Sequence, residues 1–154
     1  MNGVLDVRFR RWAHAVDLAP PAYQSAGAAG LDLVSAQDSS EQVILAPGER
    51  KLIPTGFSIE LPAGFEAQVR PRSGLAFNHG VTVLNAPGTI DSDYRGEIKV
   101  LLVNFGQSDW SVERGMRIAQ LVVAPVVQAR VSLVDVLQST ERGQGGFGST
   151  GTKV

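Results

Sequence analysis

The run Asn85-Ala86-Pro87-Gly88-Thr89-Ile90-Asp91-Ser92-Asp93-Tyr94-Arg95-Gly96-Glu97 decides how this chain folds, because it separates two apolar, β-branched stretches at residues 80–84 and 98–105. Two such stretches around a polar segment are typical of strands joined by a turn. Pro87 and Gly88 suit the second and third positions of a type II turn, since proline fixes φ and glycine accepts a positive φ. The run therefore predicts a rigid turn that presents carboxylates, an aromatic ring and backbone polar groups to a flat polar ligand. An ordinary solvated hairpin explains the same composition about equally well.

Short apolar runs continue at regular intervals on both sides of this turn, separated by Gly, Pro, Asn and Asp. No stretch has the period of a long helix, although residues 73–77 suit one short helix. Many short strands with such turns predict an all-β fold, a β-sandwich or barrel. The expected strands are residues 4–10, 31–35, 42–45, 49–54, 56–61, 65–70, 81–85, 97–105, 110–112, 117–126 and 131–137.

Composition limits the classes of function. The chain has 154 residues, of which 44% are hydrophobic, as expected of one globular domain. Its formal net charge is -1 and no basic run occurs, so a nucleic-acid polymer is not a favoured partner, whereas a small anionic ligand remains possible. The absence of cysteine excludes disulfides, thiol catalysis and cysteine-bound zinc. No stretch approaches a membrane span or a signal peptide, so we expect a soluble, cytoplasmic protein without a membrane partner.

The composition changes after Leu137, where the chain becomes polar and rich in glycine. Such a segment cannot bury enough apolar surface to order itself. We therefore expect a β domain over residues 1–137 and a flexible C-terminal arm over residues 138–154. Residues 143–148 match the dinucleotide fingerprint by letter, but that motif needs a strand before it and a helix after it, and we reject it.

The arm nevertheless carries groups that suit a nucleotide. Arg142, Ser149 and Thr150 can hold a terminal phosphate, and the Phe147 ring can stack on a base. A mobile, functionless end is the alternative, and the arm alone does not decide between them.

Three further segments each allow two interpretations. Pro71-Arg72-Ser73-Gly74 lies between an expected strand and the short helix, and is either an anion site or a routine turn. Gln120 in an apolar strand is a satisfied core amide or a ligand contact, with the core amide slightly favoured. Asp32 between two leucines either faces solvent or supports a metal. The histidines, His14 and His79, have no metal-binding spacing.

Taken together and in order, these segments resemble the five motifs of the trimeric dUTPases. The segments are AGLDL at 29–33, PRSGLA at 71–76, GTIDSDYRG at 88–96, RIAQL at 117–121 and RGQGGFGSTG at 142–151. The resemblance covers nearly the whole chain, from about Leu5 to Gly151, with no departure at a motif position. It implies a jelly-roll-like β fold, a homotrimer with sites at subunit interfaces, and hydrolysis of dUTP to dUMP and pyrophosphate with Mg²⁺ in nucleotide metabolism.

The resemblance also assigns roles in the reaction. Asp91 would orient and deprotonate the water that attacks the α-phosphorus. Asp32 would support hydrated Mg²⁺ indirectly, through water. The residues expected to hold the triphosphate are Arg72, Ser73, Gly74 and Gln120.

Substrate selection would come from the turn and the arm. Asn85 and the backbone near Thr89 and Ile90 would read the uracil edge, and Tyr94 would pack on the deoxyribose where a 2′-hydroxyl would otherwise fit. Lys99 occupies a strand position that contacts substrate in related enzymes. The arm would close over the ligand as a lid. Its expected contacts are Phe147 on the base and Arg142, Ser149 and Thr150 at the γ-phosphate, and Gly148 is a further expected substrate contact.

Two other functions remain open. A dCTP deaminase, or its bifunctional form, shares this fold, and ammonia release from dCTP would identify it. A non-catalytic nucleotide sensor on the same trimer is the second. The intact 91–96 block and arm favour the hydrolase, because a pure binder needs no general base.

Overall fold

The structure is a computed structural model that describes residues 4–149 and 151. Within these residues the chain forms eleven β-strands, one α-helix and one short 3-10 turn at Ala13–Ala15. The helix α1 (Ser73–His79) lies between β6 and β7. The strands are β1 (Arg8–Arg11), β2 (Leu31–Val34), β3 (Val43–Leu45), β4 (Arg50–Pro54), β5 (Phe57–Glu60), β6 (Phe65–Arg70), β7 (Val81–Val83), β8 (Gly88–Ile90), β9 (Lys99–Asn104), β10 (Trp110–Val112) and β11 (Arg117–Pro125).

The strands form two larger sheets and two ribbons, and every pairing is antiparallel. The larger sheets have the orders β2-β11-β6-β8 and β4-β9-β7, and the ribbons are β1-β5 and β3-β10. The predicted all-β fold with one short helix is confirmed. Antiparallel sheets pack one face on a core and leave the other face to solvent, which is the pattern that the alternating runs indicated.

One apolar core joins the sheets. In β6, Ala67 and Val69 are buried whereas Arg70 is exposed, as the alternation predicted. Burying one large aliphatic side chain contributes about 1.5–3 kcal/mol, so the core holds each strand in register. The largest fully buried aliphatic side chains are Leu33, Leu45, Ile53, Ile59, Ile98, Leu102, Ile118 and Leu121.

Most predicted strands are confirmed with bounds that differ by one to three residues, and residues 65–70 and 110–112 match at both ends. The strand predicted over 131–137 is wrong. This segment has no strand assignment and its side chains are exposed. Its β-branched residues favour an extended backbone, but among residues 4–149 and 151 no strand pairs with it, and strand pairing stabilises a β-conformation more than propensity does.

The prediction of a type II turn at Pro87 and Gly88 is also wrong. Residues 88–90 form β8, which pairs with β6 through Val69 opposite Gly88 and Ala67 opposite Ile90. Pairing requires an extended backbone, so the φ of Gly88 is not positive, and the Ala86–Pro87 peptide is cis. A Cβ at position 88 would lie 3.3 Å from the Asn85 side-chain nitrogen, a tight contact that a small shift of the exposed asparagine would relieve.

The 3-10 turn near the N-terminus is held against the sheets by Arg114, in the turn between β10 and β11. Its Nε and Nη2 donate to the two carboxylate oxygens of Asp17 at 3.0 and 2.6 Å. The same guanidinium donates to the backbone carbonyls of His14, Ala36 and Gln37. One side chain therefore connects three separate segments.

This contact predicts an acid-sensitive contribution to stability. Hydrogen bonds from Arg114 lower the pKa of Asp17 from 3.8 to about 2. A carboxylate with a lowered pKa stabilises the folded state above its unfolded pKa, and that contribution is lost as pH falls through the folded value. We therefore expect Asp17→Asn to lower the melting temperature near pH 6, with the difference from wild type shrinking between about pH 4 and pH 2. Calorimetry across that range tests this, and a difference independent of pH would contradict it.

Candidate functional site

A cleft of about 310 Å³ opens beside the loop that follows β8. It lies between β4, the end of β8 and the start of β9. Clefts of similar size occur elsewhere, such as one of about 360 Å³ beside His79 and Trp110, but that cleft contains none of the predicted site residues. The residues lining the β8 cleft are Leu52, Thr89, Ile90, Asp91, Tyr94, Glu97, Ile98 and Lys99.

The Tyr94 ring is fixed within this cleft by its hydroxyl and by a glycine. The hydroxyl donates to the backbone carbonyl of Glu97 at 3.0 Å, and the Tyr94 N–H donates to the carbonyl of Asp91 at 3.1 Å. A Cβ on Gly96 would overlap the phenol, so only glycine allows the ring to lie here. The side chain remains 44% exposed, which leaves part of the ring accessible to a ligand.

Asp91 follows β8 directly and is exposed at the edge of the cleft. Within residues 4–149 and 151, its carboxylate accepts no hydrogen bond and forms no ion pair. Its oxygens are therefore available to a bound water or a polar ligand. Lys99, at the start of β9, supplies a positive charge to the same cleft. Asn85 is exposed beside Gly88, outside the lining of the cleft.

A second cluster lies where β2 and β11 meet the segment before α1. The Asp32 carboxylate is 3.0 Å from Arg117 Nη1 and 3.8 Å from Arg72 Nε, and its side chain is only 14% exposed. Arg72 also donates to the backbone carbonyl of Arg117 at 2.9 Å. Asp32 therefore does not simply face solvent. It neutralises part of the charge of two arginines and holds them side by side.

Gln120 connects this cluster to the start of α1. Its Nε2 donates to the carbonyl of Pro71 at 2.9 Å, and its Oε1 lies so close to Gly30 that a Cβ there would approach it to 2.7 Å. One N–H of the half-buried amide is thus bonded within the protein, as the interpretation of a core amide required. Ser73 and Gly74 follow at the beginning of α1, and both are exposed.

The chemistry of these residues limits how they could hold Mg²⁺. Within residues 4–149 and 151, no three acidic or histidine side chains come together as a metal cage. Magnesium keeps several waters and takes few protein ligands alongside phosphate oxygens. Asp32, already paired with arginines, fits a contact through water better than direct ligation.

Strand register keeps the cleft residues apart from the residues Asp32, Arg72, Arg117 and Gln120, which we call the Arg72–Gln120 cluster. β8 and β11 flank β6 on opposite sides, with Ile90 opposite Ala67 and Gln120 opposite Arg70. Three residues along β6 and two strand spacings across it place Ile90 and Gln120 roughly 14 Å apart. The carboxylate that follows Ile90 is therefore not in contact with the Arg72–Gln120 cluster of its own chain.

The arm residues stay apart from both groups. Arg142, Phe147, Gly148 and Ser149 are exposed, and the hydrogen bonds of this region are local, such as Arg142 Nε to the Gly145 carbonyl at 2.9 Å. Phe147 is fully exposed and has a positive φ of 46°. Thr150, also predicted to contact the γ-phosphate, lies outside the described residues.

Sequence reasoning assigned no role to several side chains at these places. Leu52, Glu97 and Ile98 line the cleft, and Arg117 pairs with Asp32. Glu97 follows the 88–96 block and Arg117 begins the 117–121 block, so proximity to these blocks was the available signal. Leu52 comes from β4, and no local pattern links it to the cleft.

Comparisons with known proteins agree on a single family. A model of the family described as dUTPase matches residues 17–151. The chain is 62% identical over 141 residues to a deoxyuridine 5'-triphosphate nucleotidohydrolase of Rhizobium etli, covering 92% of this chain and 90% of that protein. A protein of the same name from Beijerinckia indica is 63% identical over 142 residues, covering 92% and 89%.

Solved structures show the same architecture. A mutant dUTPase of Staphylococcus bacteriophage 80alpha, solved with dUpNHpp, has a TM-score of 0.84 at 24% identity and covers 96% of this chain and 99% of its own. Another mutant of that phage enzyme has a TM-score of 0.80 at 26% identity, covering 97% and 99%.

The antiparallel sheets and the solved structures that they resemble thus define a jelly-roll-like β protein, and the predicted fold class is confirmed. The chain belongs to the dUTPase family. No helix of the described residues is long and apolar enough to cross a membrane.

Proposed function

We propose that this protein hydrolyses dUTP to dUMP and pyrophosphate in nucleotide metabolism. The observation that carries the proposal is the cleft beside β8, where the exposed Asp91 carboxylate lies next to the fixed Tyr94 ring and the Lys99 ammonium. Relatives more than 60% identical are named for this reaction, and their similarity extends over more than nine-tenths of the chain. The cytoplasmic location expected from the sequence stays a prediction.

Selection of deoxyuridine would take place in this cleft. β8 presents the backbone of Thr89 and Ile90 along one side, and the Asn85 amide lies beside Gly88 at the entrance to the strand. Fixed donors and acceptors of this kind reject a base with the wrong pattern, since its mismatch leaves buried polar groups unpaired. The Tyr94 ring, held at its hydroxyl, would pack on the sugar and exclude a 2′-oxygen.

Asp91 would orient a water for in-line attack on the α-phosphorus and accept its proton. An exposed carboxylate is a weak base near neutral pH, so the carboxylate alone explains little of the acceleration. Positioning and stabilisation of developing charge must contribute most, as in phosphoryl transfer generally. The pyrophosphate then leaves from the opposite side of the phosphorus.

Arg72, Ser73, Gly74 and Gln120 would hold the triphosphate. Asp32 keeps the Arg72 and Arg117 guanidinium groups together, which preserves a positive surface for phosphate oxygens. Mg²⁺ would be held mainly by those oxygens with Asp32 reaching it through water, and when bound it neutralises charge on the triphosphate. A dUTPase from phage phi11, similar in fold, is described with a structural Mg(II) ion.

A homotrimer would complete the site. Ile90 and Gln120 of one chain are roughly 14 Å apart, and in this proposal the cleft of one subunit meets the Arg72–Gln120 cluster of another around a single nucleotide. The exposed arm would come from the third subunit of the assembly. In this proposal residues 1–137 form the β domain, and residues 138–154 close over the ligand through Arg142, Phe147, Gly148, Ser149 and Thr150.

A nucleotide panel tests the activity directly. With Mg²⁺ present, we expect pyrophosphate from dUTP and little from dCTP, dTTP or UTP, because the cleft reads both base and sugar. Pyrophosphate, phosphate and ammonia are measured separately, with and without EDTA. Release of ammonia from dCTP would show that the protein is a deaminase instead, and binding of dUTP without turnover would indicate a nucleotide sensor.

The role of Asp91 is tested by Asp91→Asn, which keeps the shape of the side chain but removes the base. We expect kcat to fall by about 10²- to 10⁴-fold while dUTP still binds, since general-base catalysis contributes an effect of that size. Single-turnover kinetics and calorimetric binding separate the two steps. Substantial residual turnover would show that another group activates the water.

The role of the arm is tested by ending the chain after Glu141. We expect kcat/KM for dUTP to fall roughly 10- to 100-fold, as loss of base stacking and phosphate contacts would cause. A chain ending after Gly151 keeps every predicted arm contact and is the matched control. Sedimentation should give three times the mass of each shortened chain, in both cases below three times the 16.4 kDa of the full chain. A truncated chain that no longer assembles would contradict the assignment of the arm as a lid.

A further inference from the structure

Glu97 lines the cleft, and the proposed reaction leaves its side chain without a role. The carboxylate is only 12% exposed, unlike that of Asp91 nearby. Its Oε1 accepts the backbone N–H of Gly56 at 2.8 Å and lies 2.9 Å from Nε2 of His14. Glu97 therefore points away from the open cleft, into the structure behind it.

The contacts of Glu97 join the cleft to two segments distant in sequence. Gly56, in the turn between β4 and β5, accepts the backbone N–H of Trp12 at 2.9 Å. It has a positive φ of 79°, and a Cβ there would overlap the Ala15 methyl group. Next to Glu97, the N–H of Ile98 donates to the Phe57 carbonyl at 2.8 Å. The 3-10 turn near the N-terminus, the β4–β5 turn and the loop that follows β8, here called the cleft loop, thus form one packed unit.

The backbone of Glu97 holds the Tyr94 ring. Its hydroxyl donates to the Glu97 carbonyl at 3.0 Å, and Gly96 leaves the space in which the ring lies. The side chain of Glu97 anchors the residue, and the main chain of the same residue anchors the ring. A loop that lost the side-chain contacts would still form, but the carbonyl that holds the tyrosine could shift.

We infer that Glu97, held by Gly56 and His14, is a positioning residue for Tyr94 and determines how strongly the enzyme distinguishes a 2′-deoxyribose from a ribose. The inference rests on the proposed function, because it needs the Tyr94 ring to pack on the sugar. Excluding the 2′-oxygen of a ribose requires a Tyr94 ring that keeps its position, since a displacement of about 1 Å can change a rate 100-fold. Asp91 precedes the same loop, so some loss of kcat should accompany the loss of selectivity.

A purely structural role for Glu97 is the competing explanation, and Glu49 offers a matched comparison. The more exposed Glu49 carboxylate also accepts a backbone N–H, that of Ala46 at 3.0 Å, and its other oxygen lies 3.5 Å from Lys51 Nζ. None of these three residues lines the cleft. Removing Glu49 therefore removes a similar set of bonds at a place where no substrate group is expected.

The experiment measures kcat/KM for dUTP and for UTP in wild type, Glu97→Ala, Glu97→Gln, His14→Ala and Glu49→Ala. We expect Glu97→Ala to lower the dUTP/UTP ratio about 10- to 100-fold, as a displaced ring would. Glu97→Gln should recover most of the ratio, because its amide oxygen can still accept the Gly56 N–H. His14→Ala removes one of the two anchors and should give an intermediate ratio, whereas Glu49→Ala should lower the melting temperature without changing the ratio.

The outcomes distinguish a failure of this inference from a failure of the proposed function. A wild-type protein without preference for dUTP over UTP would overturn the proposed function, and the inference with it. A selective wild type whose ratio survives Glu97→Ala would overturn the inference alone. If Glu97→Ala fails to fold, His14→Ala decides, and an unchanged ratio in that variant would count against the inference.

Discussion

The pairing of β8 with β6 is the constraint on which the rest of the site depends. After β7 the chain leaves one sheet, adds three residues to the edge of the other, and returns to the first sheet as β9. Because Gly88 and Ile90 are buried in the core, β8 cannot slide along its partner without turning its apolar residues to solvent. The loop from Asp91 to Glu97 therefore has fixed ends, and the packing of the core determines where its side chains lie.

Three charged side chains that are partly buried hold neighbouring groups of the structure in place. Asp32 keeps two arginines adjacent, Arg114 joins three segments near the N-terminus, and Glu97 attaches the cleft loop to the turn at Gly56. In each case a charged group bonds to backbone or to an opposite charge, which is the condition under which a partly desolvated charge is tolerated. The exposed Asp91 carboxylate differs, because its neighbours leave its oxygens to solvent or ligand.

Local patterns in the sequence predicted the all-β fold and most strands, because alternation and turn residues act over a few positions, whereas the segments predicted to carry the site stay a prediction. These patterns did not predict β8, since the pairing with β6 overrides the turn preference of Pro87 and Gly88. The segment 131–137 is the opposite case. Its residues have a strong β-propensity, but no strand among the described residues pairs with it. The pair His14 and Glu97, 83 residues apart, follows from tertiary structure alone.

Beyond Val126, the last part of the β domain and the arm make only local contacts: their described hydrogen bonds are local, and apolar side chains such as Leu133 and Leu137 face solvent. Fixing such a backbone costs about 1–2 kcal/mol per residue, and only a ligand with many contacts can offset that cost. A bound molecule that sheds its outer phosphates during reaction would lose those contacts at the same moment. The entropy of the free arm would then favour reopening, so that completion of the chemistry itself triggers release of the product.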